Sequence, residues 1–217
     1  MKIIAHRGHS HLFKGNSYEA IHASIENTTS FSMTEVDVQY NKDDVLVLYH
    51  DQYCKELNMM IRDMSTIQIM YCEILTLDDL FEVLWKEGVQ IVIDIKGDDK
   101  TAELLVQYLK NKTHLHRFLY ICSTNYNHLA KIIKSNMLIK LGYVIANTIP
   151  LSMYSPLLKS IDFVSIDFEI ADIATLQHIR QLRKEIFIYT IHNDCEYRYI
   201  ETKFINYIDG IITNVVL

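Results

Sequence analysis

The chain has 217 residues, of which 49% are apolar, and carries a formal net charge of -6. This length can bury a substantial core, and we predict a single domain over residues 1–217. The acidic balance argues against nucleic-acid binding, and no stretch is apolar enough to span a bilayer. Four scattered cysteines favour reduced thiols, and with no leader segment recognisable before the first charged motif we expect a cytoplasmic protein.

Short β-branched runs alternate with helical patterns along the chain. The predicted strands cover residues 2–6, 34–40, 45–50, 89–96, 118–123, 140–145, 163–168, 186–191 and 210–215. The predicted helices cover residues 17–28, 76–88, 99–112, 125–136, 156–160, 172–185 and 195–204. This alternation predicts an α/β fold with a parallel sheet, either open or closed, and the number of units favours a compact (β/α)8 TIM-type barrel.

The prediction contains one strand more than a (β/α)8 barrel needs. The turn at residues 41–44 accounts for it, because this turn can join strands 34–40 and 45–50 as an antiparallel pair without a helix. Residues 51–75 form the least regular long stretch. We predict that they make a short excursion above one end of the barrel.

Glu35 and Asp37 lie two residues apart in the strand TEVDVQY, so their side chains share one face. At a separation of roughly 6.6 Å, two carboxylates repel by about 2–3 kcal/mol at an effective dielectric near 20. Asp94 adds a third carboxylate from another strand. Three oxygen donors suit Mg²⁺ or Ca²⁺ better than zinc, and a divalent cation offsets the repulsion. We therefore predict a metal site at these three residues.

Further ionisable residues follow the predicted strands, at the end where TIM barrels place their active sites. Arg7 and Lys96 supply fixed positive charge suited to a phosphate group. His6 and His50 can transfer protons near neutral pH. Asp51, beside His50, is expected to orient its strand end or that histidine. The set predicts a phosphate-handling metal site.

Other polar residues receive different assignments. Tyr189 and His192, in the stretch IYTIHND, are predicted to line a pocket for the alcohol or head group. The remaining histidines lie in predicted loops and helices, and we expect them at the surface: His9, His11, His22, His114, His116, His128 and His178.

The motifs IIAHRG, NSYEAI, EVDVQYNKDDVLVLYHD, TLDDLFEVL, IVIDIK, IYTIHND and DGIITN follow one another from residue 3 to about 214. Their order resembles the glycerophosphodiester phosphodiesterase family of the PLC-like phosphodiesterase TIM-barrel superfamily. The resemblance implies a Mg²⁺- or Ca²⁺-dependent cleavage of a small glycerophosphodiester to glycerol 3-phosphate and an alcohol. The matching residues are the metal ligands Glu35, Asp37 and Asp94, the catalytic pair His6 and His50, and the phosphate contacts Arg7 and Lys96.

The chain also departs from the family pattern. Asp94 stands where the family usually has Glu, and Gly15 replaces the acid of the P-E-N-T stretch. His192 replaces the Asn of W-T-V-N, and the terminal DGIITN lacks the usual Asp-x-Pro ending. The segment 51–75 is short, which should leave the site more open.

Two alternative functions stay open at this point. One is a lysophospholipase D-type or lyase activity on lipid phosphodiesters, which would need an apolar surface beside the mouth of the site. The other is a catalytically silent, metabolite-binding barrel. The residues do not decide which histidine is the acid, whether the nucleophile is water or a substrate hydroxyl, or which oligomer forms.

Overall fold

The computed structural model describes residues 1–215. Its strands are β1 Lys2–Ala5, β2 Met33–Tyr40, β3 Leu46–Leu48, β4 Tyr53–Cys54, β5 Met59–Met60, β6 Gln90–Ile95, β7 Leu119–Ser123, β8 Lys140–Ile145, β9 Phe163–Asp167, β10 Glu185–Ile191 and β11 Gly210–Thr213. Its α-helices are α1 Tyr18–Glu26, α2 Thr66–Tyr71, α3 Asp99–Lys110, α4 Tyr126–Lys134, α5 Leu151–Leu157, α6 Ile173–Gln181 and α7 Asp194–Lys203. Shorter turns of helix are the π-helix Asp79–Leu84 and the 3-10 helices Ile61–Asp63, Thr113–Phe118 and Phe168–Ile170. Within residues 1–215, none of these helices is both long and apolar enough to cross a membrane.

Eight parallel strands close into a barrel. Their order is β1-β11-β10-β9-β8-β7-β6-β2, and pairing between β1 and β2 closes the ring. β3 is antiparallel and pairs with the carboxyl-terminal part of β2, beyond the residues that pair with β1, so that Val38 lies opposite Leu48. The predicted (β/α)8 TIM-type barrel and the predicted hairpin are both confirmed.

The barrel interior is filled by large apolar side chains toward the amino ends of the strands. Phe163 and Phe187 lie with ring centroids 5.3 Å apart, and Tyr120 packs against both. Gly142 makes room for this cluster, because a Cβ there would lie 2.2 Å from the Phe163 ring. Since this end is packed solid, open space in the barrel is left to the carboxyl ends of the strands.

The outer layer follows from helical periodicity, as α3 illustrates. Asp98 caps its amino end by accepting a hydrogen bond from a backbone N–H, and Lys110 occupies its last turn. Ala102, Leu105 and Leu109 recur at three- and four-residue spacing and are fully buried. Each buried Leu contributes about 1.5–3 kcal/mol to packing this helix on the sheet.

The excursion over residues 51–75 is more regular than its sequence indicates. β4 and β5 form a small antiparallel hairpin, and α2 begins with a capping box between Ser65 and Gln68. Ile61, Met64 and Ile69 are buried in a small core of their own beneath it. Elements this short carry too few residues to show a period, which explains why the pattern did not reveal them.

Two predicted helices differ in the structure. The helix predicted over residues 76–88 is a six-residue π-helix, Asp79–Leu84. The helix predicted over residues 156–160 begins earlier and spans Leu151–Leu157. That prediction started the helix at Pro156 on the spacing of the apolar residues in PLLKS. Here Pro156 lies inside the helix, which ends one residue later.

Three histidines expected at the surface are buried, so that prediction was wrong for His9, His116 and His128. The His9 ring packs edge-on against Phe31 with centroids 5.4 Å apart. His128 Nδ1 lies 3.0 Å from the Ser123 hydroxyl. An imidazole with one satisfied nitrogen can pack as a core side chain, and the local sequence does not reveal the partner.

Candidate active site

A cavity of about 90 Å³ opens at the carboxyl ends of the barrel strands. Eight of the nine predicted site residues line it: His6, Arg7, Glu35, Asp37, His50, Asp94, Lys96 and Tyr189. His192 is not among the lining residues. The barrel therefore brings together side chains that are as far as 183 residues apart in the sequence, since His6 and Tyr189 share one cavity.

The three carboxylates meet because β2 and β6 are neighbours in register. Asp37 pairs with Asp94 across the two strands, and Glu35 lies two residues earlier on β2, facing the same way. One oxygen from each of the three lies within 4.8 Å of the others. This arrangement makes a compact set of oxygen donors.

Two cations and one amide hold the carboxylates in place. Lys96 Nζ lies 2.6 Å from Asp94 Oδ2 and 3.3 Å from Asp37 Oδ1. Arg7 Nε lies 3.0 Å from the other oxygen of Asp37. Asn16 donates its amide N–H to Asp37 Oδ2 at 2.9 Å and accepts from the Asp37 backbone N–H at 3.2 Å. Asp37 is therefore the most heavily supported acid of the three.

Glu35 and Asp94 keep unpaired capacity. Glu35 Oε2 accepts the Arg7 backbone N–H at 2.8 Å, and within residues 1–215 no cation lies within ion-pair distance of it. Asp94 Oδ1 is buried without a hydrogen-bond partner in that range. Burial, and then the Asp37 carboxylate, raise the pKa of Glu35, and burial also raises the pKa of Asp94 to about 6. These oxygens fit a hard divalent cation, which would offset both the cost of burying the carboxylates and their mutual repulsion.

His6 follows β1 and points one ring nitrogen toward a side-chain amide. Its Nδ1 lies 2.6 Å from Asn214 Oδ1. Burial, and then the nearby Arg7 guanidinium, lower the pKa of His6 to about 4, so the ring is neutral at neutral pH. A neutral imidazole has one nitrogen free to accept a proton.

His50 is held differently, at the more exposed rim. The Gln39 amide donates to the backbone carbonyls of Tyr49 and Asp51 at 2.7 and 2.8 Å, which fixes the segment after β3. His50 Nδ1 lies 2.7 Å from Asp51 Oδ1. That bond lowers the pKa of Asp51, so the acid stays ionised beside the ring. Asp51 thus contacts His50 as the sequence led us to expect.

The loop after β1 depends on two glycines. Arg7 and Gly8 both adopt positive φ, at 57° and 77°, and a Cβ on Gly8 would lie 2.5 Å from the Ala20 carbonyl carbon. This turn aims the Arg7 N–H at Glu35. At Gly15, a Cβ would come 3.0 Å from the Arg7 Cβ. The missing side chain at this position therefore gives the Arg7 side chain room.

Sequence reasoning missed several neutral side chains at the site. Asn16 holds Asp37, Asn214 holds His6, and Cys122 and Ser165 line the cavity. Strand order carried a usable signal for Asn214, since β11 lies beside β1 in a closed barrel. For Cys122 no such signal exists, because cysteine is common in packed interiors, and a single serine within the strand FVSID does not mark a site either.

The geometry agrees with a comparison with known protein families. The model of the Glycerophosphoryl diester phosphodiesterase family matches residues 6–217. The chain belongs to this family. It is accordingly an enzyme of the glycerophosphodiester phosphodiesterase class, a hydrolase of phosphodiesters. A comparison with curated proteins gives no match.

Solved structures share the fold at low sequence identity. The glycerophosphodiester phosphodiesterase of Thermotoga maritima is 23% identical with a TM-score of 0.81, over 99% of this chain and 94% of that one. An Oleispira antarctica phosphodiesterase, solved with the product sn-glycerol-3-phosphate, is 18% identical with a TM-score of 0.82, over 99% and 93%. The Agrobacterium tumefaciens glycerophosphodiester phosphodiesterase is 17% identical with a TM-score of 0.77, over 99% and 96%.

Proposed function

We propose that the protein hydrolyses small glycerophosphodiesters to glycerol 3-phosphate and an alcohol, with Mg²⁺ or Ca²⁺ bound by Glu35, Asp37 and Asp94. Arg7 and Lys96 contact the phosphate, and Tyr189 contacts the uncharged part of the substrate. When bound, the cation withdraws charge from the phosphoryl oxygens. The family match and the joint placement of these side chains in one cavity support the proposal.

The observation that carries the proposal is the charge of the cavity. Three carboxylates face two fixed cations, which leaves one net negative charge when all five groups are ionised. A divalent cation changes this to one net positive charge. A phosphodiester carries a single negative charge, so the loaded site complements it, whereas the carboxylates alone would repel it.

The two histidines differ in surroundings, and we assign them different roles. His6 is neutral and buried, so it suits the proton acceptor, which takes a proton from water or from the neighbouring glycerol hydroxyl. His50 lies at the more exposed rim, where the contact of its Nδ1 with the Asp51 carboxylate orients the ring, so we assign it as the donor to the departing alcohol.

The test is an assay with purified protein, glycerophosphocholine or glycerophosphoethanolamine, and Mg²⁺, Ca²⁺ or EDTA. We expect glycerol 3-phosphate with a divalent cation and none with EDTA. Asp63→Asn is a control for substitutions of the ligand acids, because Asp63 is exposed and does not line the cavity. Absence of product with every metal would contradict the proposal and favour the silent, metabolite-binding barrel.

One observation favours a second candidate, a lysophospholipase D-type activity on lipid phosphodiesters. Leu12 and Phe13, in the loop after β1, are 64% and 41% exposed. The next residue, Lys14, lines an open groove that shares Arg7 and His50 with the catalytic cavity. Leu12 and Phe13 immediately precede Lys14 in the chain, so we expect an apolar chain that leaves the site along this groove to contact them.

The double variant Leu12→Ser, Phe13→Ser separates the two candidates. If lipid diesters are substrates, the variant should hydrolyse lysophosphatidylcholine more slowly and glycerophosphocholine at an unchanged rate. Absence of lysophosphatidylcholine hydrolysis by the wild type, or an unchanged rate on it in the variant, would contradict the lipid candidate.

A further inference from the structure

Three adjacent strands of the barrel end at one level, and a polar side chain follows each of them. The residues that follow the last paired positions of β1, β11 and β10 are His6, Asn214 and His192. The His6 backbone N–H donates to the Thr213 carbonyl at 3.0 Å, and the Asn214 backbone N–H donates to the Ile191 carbonyl at 2.9 Å. The Asn214 side chain is therefore placed between two imidazole rings.

The Asn214 amide uses both of its ends. Its Oδ1 lies 2.6 Å from His6 Nδ1 and accepts the Ser10 hydroxyl at 3.0 Å. Its Nδ2 lies 2.9 Å from His192 Nδ1. One side chain thus connects the catalytic histidine, a serine and a rim histidine in a single hydrogen-bonded chain.

This orientation fixes where the protons lie. An amide oxygen only accepts and an amide NH₂ only donates, so His6 Nδ1 must carry a proton and His192 Nδ1 must lack one. The neutral His6 ring then has its lone pair on Nε2. Within residues 1–215, His6 Nε2 has no hydrogen-bond partner, and His6 lines the cavity. Turning the amide around would exchange the tautomers and remove the acceptor of the Ser10 hydroxyl.

We propose that Asn214 is a positioning residue, which holds His6 in the Nδ1–H tautomer so that Nε2 faces the substrate. His192 acts through Asn214 by accepting its Nδ2–H, instead of lining the cavity. The inference rests on the proposed function for its catalytic consequence, while the tautomer itself can be measured without substrate. Two departures from the family pattern, His192 and the DGIITN ending, therefore lie in contact with each other.

The direct test is ¹⁵N NMR of the histidine side chains in the uniformly labelled protein, since protonated and unprotonated imidazole nitrogens have well separated shifts. His6→Gln identifies the His6 signals. We expect the Nδ1–H tautomer in the wild type and in Asn214→Asp, which keeps the acceptor. Asn214→Leu should lose it and give a mixture. An Nε2–H tautomer in the wild type, or an unchanged tautomer in Asn214→Leu, would overturn the inference.

Kinetics of the same variants test the consequence. Asn214→Leu should lower kcat about tenfold to a hundredfold with little change in KM, as expected for loss of an orienting partner. Asn214→Asp should restore most of kcat, and His192→Ala should lose less than Asn214→Leu. Asn127→Leu, on an exposed position of α4, is the matched control and should leave kcat unchanged. A change in KM with kcat unchanged would contradict a positioning role.

The two proposals fail in different ways. If the tautomer changes in Asn214→Leu but no variant or wild type hydrolyses a glycerophosphodiester, the proposed function fails and the hydrogen-bonded chain stands. If the wild type is active and Asn214→Leu lowers kcat without a change of tautomer, the positioning inference fails and the proposed function stands.

Discussion

The two halves of the barrel's carboxyl face are built from different chemistry. The charged half, from β1, β2, β6 and the segment after β3, contributes His6, Arg7, Glu35, Asp37, His50, Asp94 and Lys96. The neutral half, from β7 to β11, contributes Cys122, Val144, Ser165, Tyr189, Thr190 and Ile212. Strand order alone separates them, because β2 and β6 are neighbours and β7 to β11 follow in sequence around the ring.

This division indicates how the cavity handles a phosphodiester. In the proposed function, the charged half binds the cation and the phosphate and transfers the protons. The neutral half offers hydroxyl, thiol and apolar surface, which suits a part of the substrate without charge. Substitutions in the charged half should therefore reduce kcat strongly, whereas those in the neutral half should act mainly on KM.

The largest effect is expected from Asp37→Asn in the charged half. Asp37 contacts Arg7, Lys96 and Asn16 and is one of the three oxygen donors. Loss of its charge should lower kcat/KM by about a thousandfold or more. The change weakens cation binding and removes the ion pairs that hold Arg7 and Lys96, the two proposed phosphate contacts. Steady-state kinetics with Asp63→Asn as control check this. A loss below tenfold would remove Asp37 from the proposed metal site.

The two histidines should respond differently to the leaving group. His6→Ala and His50→Ala should each lower kcat by about a hundredfold to ten-thousandfold on glycerophosphocholine. The test uses a nitrophenyl phosphodiester in place of glycerophosphocholine, because its leaving group needs no proton. On this substrate His50→Ala should approach the wild-type rate, whereas His6→Ala should not. Equal recovery of both variants, measured by nitrophenol release, would contradict the assignment of donor and acceptor.

Acidification should weaken cation binding before it affects the neutral half. Burial raises the pKa of Asp94 to about 6, so protons compete with the cation for this acid below that pH, and the raised pKa of Glu35 acts in the same direction. Because only ionised carboxylates bind, protonation of Asp94 alone should lower the affinity by roughly tenfold per pH unit below 6. Calorimetric titration with Mg²⁺ at several pH values measures this. Affinity independent of pH would show that neither acid is a ligand.

Asp94→Glu tests the position where the family pattern usually has Glu and this chain has Asp. The extra methylene extends the carboxylate across β6 toward β2, while Lys96 remains close enough to pair with it. We expect cation binding to be kept and kcat to change by less than about tenfold, in contrast to Asp94→Ala, which should lose binding. Calorimetry on both variants checks the pair. Equal loss in both would show that the length of this side chain is critical.

The smallest effect is expected in the neutral half. Tyr189→Phe removes one hydroxyl from the lining and leaves the ring that packs beside the interior aromatic cluster. KM for glycerophosphocholine should rise by a few-fold, about the value of one hydrogen bond, with kcat nearly unchanged. Steady-state kinetics measure both constants. A large fall in kcat would place Tyr189 among the groups that act on the phosphate.

The sequence predicted the charged half well and the neutral half poorly, for a physical reason. Glu35 and Asp37 on one strand face are costly without a cation, so they mark a site even without a structure. Val144 and Ile212 are apolar, and the same residue types fill ordinary cores, so nothing in the sequence marks them as part of a site. Only the closed barrel shows that these side chains lie opposite the carboxylates.

The long elements of the fold were likewise predicted better than the short ones. Long strands and helices with clear periods, such as β2 and α3, matched their predicted positions closely. The excursion over residues 51–75 was predicted less well, because β4, β5 and α2 are too short to show a period. His9 and His128 were misplaced since their burial depends on partners elsewhere in the loop and sheet.

The most direct test of the charged half is the position of a bound cation. Crystals grown with Mn²⁺, which accepts the same oxygen donors as Mg²⁺, can be measured near the manganese absorption edge. We predict one strong anomalous peak between Glu35, Asp37 and Asp94, and none in crystals of Asp37→Asn. A peak elsewhere on the surface, with none between these three carboxylates, would contradict the metal site and the function built on it.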